Sequence, residues 1–420
     1  MPTLLILSGM VSVVVLILVL SGFWLLEHLS MAGPGTPPEK KTGRQHTEPP
    51  ARIDLSGPIN RVAGDSARLA EPIILLSDGR RYFIRTTIYA KLQRYILQTL
   101  RRSRTHQSAV VVMDPHDGRL LSMVNYDSNG ESKNLSLQAD FPAASLFKIV
   151  TAAAALESAD FSIDQSLYYR GSKHTLYKSQ LKNKKDRWTT QTKFRKAFAL
   201  SNNAVFGKIG IYDLGQSKLV KYSDKFFFNR PIVFDLPVAV SRVQVPADDF
   251  GLAEIASGFN KKTLISPLHA ALLSAIAVNQ GQLPTPRLVI SIQNESNKFI
   301  YQAPRPAMTA TVKSDTARDL KTLMLDAVRY GTSRTAFRKL RRKRRFKEFE
   351  LGAKTGTIND RADQFKYDWV TAFAISPDGA GSICVSVLGV HGKILGTRST
   401  EMARAIVDYY FSTVGTKKPG

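Results

Sequence analysis

Ser145 and Lys148 stand three residues apart in Phe141-Pro142-Ala143-Ala144-Ser145-Leu146-Phe147-Lys148-Ile149-Val150-Thr151-Ala152-Ala153-Ala154-Ala155-Leu156. Pro142 bars a helix from running upstream, so the segment predicts a helix whose first turn holds Ser145. The remainder of the segment is apolar nearly all round, the mark of a buried helix, and Lys148 is its one charge. A spacing of three brings the two side chains onto one face. An ammonium is costly to bury, and desolvation turns it towards a neutral amine able to take a proton from a hydroxyl. Unpaired N–H groups at a helix start favour negative charge developing at the serine. The chemistry offered is attack by an activated serine. So short a pattern also arises where the serine is a plain cap and the lysine snorkels, so other residues must support it.

Two further strings do. Ser201-Asn202-Asn203 comes after a stretch, 190–200, that reads as helix, and Lys354-Thr355-Gly356-Thr357 lies beside strand-like runs. Alone, the first reads as a helix-end turn and the second as the solvated face of an edge strand. Together they complete the order Ser-x-x-Lys, Ser-x-Asn, Lys-Thr-Gly, which serves acyl transfer through serine.

The elements that must position these residues are legible from periodicity. Ile73–Leu76 and Arg81–Ile88 flank an Asp78-Gly79 turn, a hairpin pattern, and Ala109–Met113 and Leu120–Val124 flank a second turn at Asp114–Gly118. Leu92, Ile96 and Leu100 mark an amphipathic helix over Tyr89–Arg102. Ser266 with Pro267 opens another helix that runs to Val278. Trp369–Ile375 and Ile383–Val390 read as strands, and Thr400–Phe411 as a closing helix. Strands at both ends with helices between them predict an α+β fold, its antiparallel sheet flanked by helices and joining the two chain ends.

Composition narrows the rest. The single cysteine, Cys384, rules out an intramolecular disulfide and reads as packing within a strand. The seven histidines form no His-x-x-x-His pair, so no metal and no cofactor are expected. Residues 4–26 carry no charge and span roughly 35 Å as helix, enough for a single N-terminal transmembrane anchor. No Lys or Arg precedes the run and no clean cleavage site comes after it, which speaks against a removed signal peptide. A Pro/Gly-rich linker over 27–55, a small hairpin segment over 56–85 and a main domain over 86–414 complete the predicted organisation. A net charge of +25 would ordinarily raise nucleic acid as a partner, but an anchored chain is not expected to meet it.

With the three motifs in hand, the chain resembles the transpeptidase domain of penicillin-binding proteins, and does so from about Thr86 to Phe411. Val110–Met123 is similar to the family's Asp-Pro-x-x-Gly hairpin; Ala256-Ser257-Gly258, Ser266-Pro267-Leu268 and Gly331-Thr332 fall where it has similar strings; Tyr89 stands where it usually has an acid. The resemblance implies a sheet packed on an all-helical lobe, with the active site between them. It implies Ser145 as nucleophile, Lys148 as its base, Ser201 as proton relay, Asn203 as the group orienting Lys148 and the substrate amide, and Lys354 as added positive charge. Thr355, Gly356 and Thr357 would bind the substrate carboxylate, and the backbone N–H groups of Ser145 and Thr357 would form the oxyanion hole.

Partners implied are peptidoglycan stem peptides, β-lactam antibiotics, the membrane through the N-terminal helix, and other cell-wall synthesis proteins. The catalytic domain would lie on the extracytoplasmic side of a single-pass cytoplasmic membrane anchor, with no glycosyltransferase domain ahead of it. The resemblance implies a peptidoglycan D,D-transpeptidase that forms an acyl-enzyme on Ser145, with a D,D-carboxypeptidase, a β-lactamase or a β-lactam-binding module as alternatives on the same motifs. Between Asn203 and Lys354 the glutamates are Glu254, Glu295, Glu348 and Glu350, and none has the Glu-x-x-Leu-Asn context of a water-activating base. The basic run 338–347 is either a solvated surface or a site for anionic lipids or cell-wall polymers.

Overall fold

Valine and other β-branched residues crowd the runs that become the central sheet. Strands β1 (Gln107–Met113), β2 (Leu120–Asp127), β3 (Glu350–Asn359), β4 (Lys366–Ile375) and β5 (Ser382–His391) pair antiparallel in the order β3-β4-β5-β1-β2. Both chain ends therefore meet in one sheet, with β3 at its edge. The coordinates are a computed structural model that describes residues 64–413 apart from Asp78, Ser132, Lys133, Arg361 and 378–380. The expected anchor at 4–26, the linker at 27–55 and residues 56–63 lie outside the described residues. Among the described residues no helix is long and apolar enough to cross a membrane.

Helices cover both faces of the sheet, so its strands are apolar on both sides rather than alternating. Val110, Val112, Val370 and Val385 pack with α1 (Ala90–Arg101), α8 (Arg334–Arg341) and α9 (Ser399–Thr413). Val111, Trp369, Phe373 and Cys384 face the opposite lobe. That lobe holds α2 (Lys148–Ser158), α3 (Phe194–Ala199), α4 (Asn203–Ile209), α5 (Asp249–Ser257), α6 (Pro267–Val278) and α7 (Ser314–Arg329). α6 is apolar all round and lies at its centre, started by Pro267 and capped by the Ser266 hydroxyl, which accepts from His269 N at 3.2 Å.

Two expectations need correction. Residues 189–193 form a strand paired with Ser166–Arg170, not the start of a helix, because Thr189, Thr190 and Thr192 favour extended backbone; the helix begins at Phe194. For the same reason the lobe is mostly helical rather than all-helical. Ile73–Ser77 and Arg80–Thr86 pair as the expected hairpin, and Arg80–Thr86 also pairs with Val289–Asn294, which pairs with Phe299–Gln302, giving a four-stranded sheet.

α8 shows how the basic run is accommodated. Ala336, Phe337 and Leu340 are buried, while Arg334, Arg338, Lys339 and Arg341 point out. Phe337→Ala is expected to lower unfolding free energy by about 3–5 kcal/mol, as for other buried phenylalanines. Arg338→Ala should change it by less than about 0.5 kcal/mol. Urea denaturation of the two variants checks the assignment of faces.

Candidate active site

Ser145 sits on a 3-10 turn (Ala144–Phe147) that runs straight into α2, after Ala144 takes a positive φ of 47°. Two glycines let other backbones close on it. Gly258 ends α5 in the left-handed region (φ 67°), and a Cβ there would collide with the Ala144 carbonyl. A Cβ on Gly356 of β3 would come within 3.3 Å of the Ser145 nitrogen. Trp369 fixes the approach from the sheet by donating to the Pro142 carbonyl at 2.9 Å.

Lys148 is fully buried, and its Nζ lies 2.8 Å from Ser145 Oγ, 2.7 Å from Asn203 Oδ1 and 2.5 Å from the Ser257 carbonyl. The Asn203 amide is oriented independently, because its Nδ2 donates to the His174 carbonyl at 2.9 Å. Asn203 Oδ1 and Ser257 O can only accept. A neutral amine has two N–H groups and one lone pair, so those acceptors take both hydrogens and the lone pair is left for the Ser145 hydroxyl. Burial first, and then the charge of Lys354, push the Lys148 pKa far below its ordinary value, which favours that neutral form.

Ser201 and Asn203 owe their places to a helix junction. α3 ends with Ser201 N donating to Phe198 O at 3.0 Å and Asn202 N to Ala197 O at 2.9 Å, the paired bonds of a Schellman ending. Ser201 occupies the left-handed position (φ 55°) where glycine is usual. Asn202 then caps α4 by accepting from Val205 N at 3.1 Å, and Asn203 is the first residue of α4.

Lys354 is also fully buried, contrary to the solvated edge that its tripeptide suggests on its own. Its Nζ donates to Ser201 Oγ at 2.9 Å and to the Thr355 carbonyl at 2.8 Å, and burial brings its pKa down to about 7. Further along β3, Thr355 Oγ1 donates to Thr332 Oγ1 at 2.7 Å, while Thr357 Oγ1 lies 3.4 Å from Asp368 Oδ1. Asp368 is buried, which raises a carboxyl pKa. His391, two donors from Arg398 at 3.1 Å each and the Ser399 amide at 2.7 Å outweigh that and hold it at about 2.

The cleft above Ser145 measures about 310 Å³. Its walls bring together Ser145, Ser201, Asn203, Thr355 and Thr357 among the sequence-selected residues, with Lys148 and Lys354 beneath. Gly356 lies against the Ser145 backbone. His174, Phe259, Arg398 and Thr400 also line it, and sequence reading missed them: they sit in loops or at a helix start and belong to no motif. Gly258 and Thr332 fall within strings that sequence reading marks without giving them a role. Among the described residues no carboxylate lines this cleft.

Comparison with known proteins gives one consistent picture. Residues 108–408 match the family model described as the penicillin binding protein transpeptidase domain. Stage V sporulation protein D of Bacillus subtilis is 25% identical over 266 residues, which is 60% of this chain but 40% of that protein's length. Penicillin-binding protein A of Mycobacterium tuberculosis, solved as a ceftriaxone acyl-enzyme complex, superposes with a TM-score of 0.63 at 23% identity over 77% of this chain and 79% of that one. Apo penicillin-binding protein 3 of the same organism gives 0.65 at 18% identity over 80% of each chain. These two structures speak to the fold.

The geometry makes two outcomes measurable. Lys354→Met removes a group that is protonated in the unfolded chain up to its ordinary pKa of 10.5 but in the folded chain only up to about 7. Unfolded protein therefore binds the extra proton between those values, so wild-type stability relative to the variant should rise with pH by roughly 1 kcal/mol per unit there and stay level below pH 7. Chemical denaturation at pH 6, 8 and 9.5 measures it. Ser201→Gly relieves the left-handed backbone but removes the hydroxyl that Lys354 Nζ meets at 2.9 Å, so the two effects, each about 1 kcal/mol, should largely cancel in stability.

Proposed function

The chain belongs to the penicillin-binding protein transpeptidase family, a family of serine acyltransferases, and from that premise we propose that it is a peptidoglycan D,D-transpeptidase. Ser145 is its nucleophile. Neutral Lys148 takes the hydroxyl proton as Oγ attacks the carbonyl between the two D-alanines of a stem peptide. The resulting oxyanion is held by the backbone N–H groups of Ser145 and Thr357, donors fixed before charge develops. Ser201, in contact with Lys354, gives its proton to the departing D-alanine amine and regains one from the Lys148 ammonium, leaving the peptide esterified to Ser145. Attack by the amine of a second stem peptide then forms the cross-link and frees the serine. Thr355, Gly356 and Thr357 receive the terminal carboxylate, with Lys354 supplying positive charge.

The single observation that carries this reading is the Lys148 Nζ to Ser145 Oγ contact of 2.8 Å, made by a lysine with no exposure to water. β-Lactams acylate the same serine. We further assign residues 4–26 as a single-pass anchor, 27–55 as its linker and 86–414 as the catalytic domain on the extracytoplasmic side.

The test is intact-mass analysis after penicillin treatment. A penicilloyl adduct should map to the Ser145 peptide and vanish in Ser145→Ala. Lys148→Ala should slow acylation by at least about a hundredfold, in the range lost when a general base is removed. With no carboxylate in the cleft to activate water, the adduct should persist for minutes to hours after drug is removed. Rapid return to the free mass with turnover of drug would instead mean a β-lactamase. With D-Ala-D-Ala peptides, release of D-alanine without cross-linking would mean a carboxypeptidase.

A further inference from the structure

The helical layer on the sheet face away from the Ser145 lobe is strongly cationic. On α8 and the turn after it, Arg334, Arg338, Lys339, Arg342, Arg344 and Lys347 are exposed, and none makes an ion pair with any described carboxylate. Of the acids close by, Asp408 is engaged by Lys343 and Arg404 and Glu350 by Lys321 at 2.9 Å, while Glu348 is exposed within the run. Apolar side chains of the same run, Phe337, Leu340 and Phe346, are buried, so this surface offers charge and nothing that would insert into hydrocarbon. α1, packed beside α9 in the same layer through the Tyr95–Tyr409 stack at 3.8 Å, adds exposed Lys91, Arg101 and Arg102.

The start of the described chain belongs to this layer too. Gln93 of α1 donates to the Ser66 carbonyl at 3.0 Å, and Arg94 pairs with Glu71 at 2.9 Å. The described chain therefore begins against α1, in the layer that carries these cations.

We propose that this layer seats on the headgroups of an anionic phospholipid bilayer, with the α8 cations against lipid phosphates. The inference rests on reading residues 4–26 as a membrane anchor, which keeps headgroups within reach. Arginines and lysines exposed along one helix and the turn after it, with the apolar side chains of the run buried, match a planar sheet of phosphates better than they match a single polymer strand. Contact of this kind is screened over about 10 Å at 0.1 M salt and about 3 Å at 1 M, so it is reversible by ionic strength where the anchor is not.

The test reconstitutes the full chain into vesicles containing phosphatidylglycerol or phosphatidylcholine alone, each with an acceptor-labelled lipid. Donor dye is placed at Lys339→Cys or, in the opposite lobe, at the exposed Tyr177→Cys; the native thiol, Cys384, is fully buried. Energy transfer from position 339 should exceed that from 177 by at least about twofold in phosphatidylglycerol at low salt, and fall towards it at 1 M salt. Joint replacement of Arg338, Arg341, Arg342 and Arg344 by Gln should abolish the difference while leaving penicillin labelling of Ser145 intact. Equal transfer from both positions, or a difference unchanged in phosphatidylcholine, would overturn the proposal. So would a difference that arises only when a soluble polyphosphate chain is added. Should alkaline carbonate strip the chain from vesicles, the anchor reading fails separately. The surface proposal is then supported only if the remaining association requires phosphatidylglycerol and is lost in the Gln variant.

Discussion

A lysine ammonium sealed from water is the constraint around which the rest of this structure is arranged. Lys148 has no exposure, and an unpaired charge there would cost several kcal/mol. The fold meets that cost by making the amine neutral and giving it fixed partners. Each partner comes from a different element: the Ser145 turn, the first residue of α4 and the last residue of α5. The lobe must hold those three elements within hydrogen-bond reach of one nitrogen, which explains why close-approach glycines gather there. Gly258 admits the Ala144 carbonyl, and Gly331 admits the Ala199 carbonyl at the end of α3.

Lys354 turns one buried cation into a coupled pair. Its charge helps keep Lys148 neutral, yet burial alone brings its own pKa to about 7, so near neutrality it is itself divided between two forms. The pair cannot share a carboxylate without losing this, since a nearby anion would restore both ammonium groups. The described residues lining the cleft include none. The nearest negative charge engaged by the site is Asp368, and it is neutralised by Arg398 and the Ser399 amide before Thr357 meets it. Arg398 thus presents its guanidinium at the cleft wall from a carboxylate base, rigid where an unsupported arginine would not be.

What was legible in the sequence is what depends on neighbours in sequence. The three-residue spacing of Ser145 and Lys148 became a direct contact because one turn of helix fixes it. The runs of β-branched residues became strands, and the Asp114–Gly118 turn closed the hairpin. The burial of Lys354 was not legible, because it depends on α3 and α7 covering the inner face of β3 from far away in the chain. The Thr332–Thr355 and Asp368–Arg398 contacts join segments 23 and 30 residues apart and carry no local pattern. The strand at 189–193 departs from expectation for a related reason: a helical period and a threonine-rich extended run are hard to tell apart over five residues, and pairing with Ser166–Arg170 decides between them.

The two faces of the sheet use positive charge differently. On the lobe side, the two cations of the site, Lys148 and Lys354, are buried and pushed towards neutrality, while other basic residues such as Lys178, Lys182 and Lys184 stay exposed. On the α1, α8 and α9 side, cations are many, exposed and largely unpaired, over a core of Phe337, Leu340, Val112 and Val385 that would pack equally well beneath neutral helices. Of the arginines on α8 and the turn after it, Arg341 and Arg345 hydrogen-bond to neighbouring elements, at the Arg329 carbonyl and at Phe411 O and Ser412 Oγ. A surface of like charges repels itself and lowers stability unless something neutralises it. The excess positive charge of the chain is therefore not a by-product of building the site, which uses two lysines and suppresses the charge of one. A concentrated part of it lies on α8 and the turn after it, on the sheet face away from Ser145.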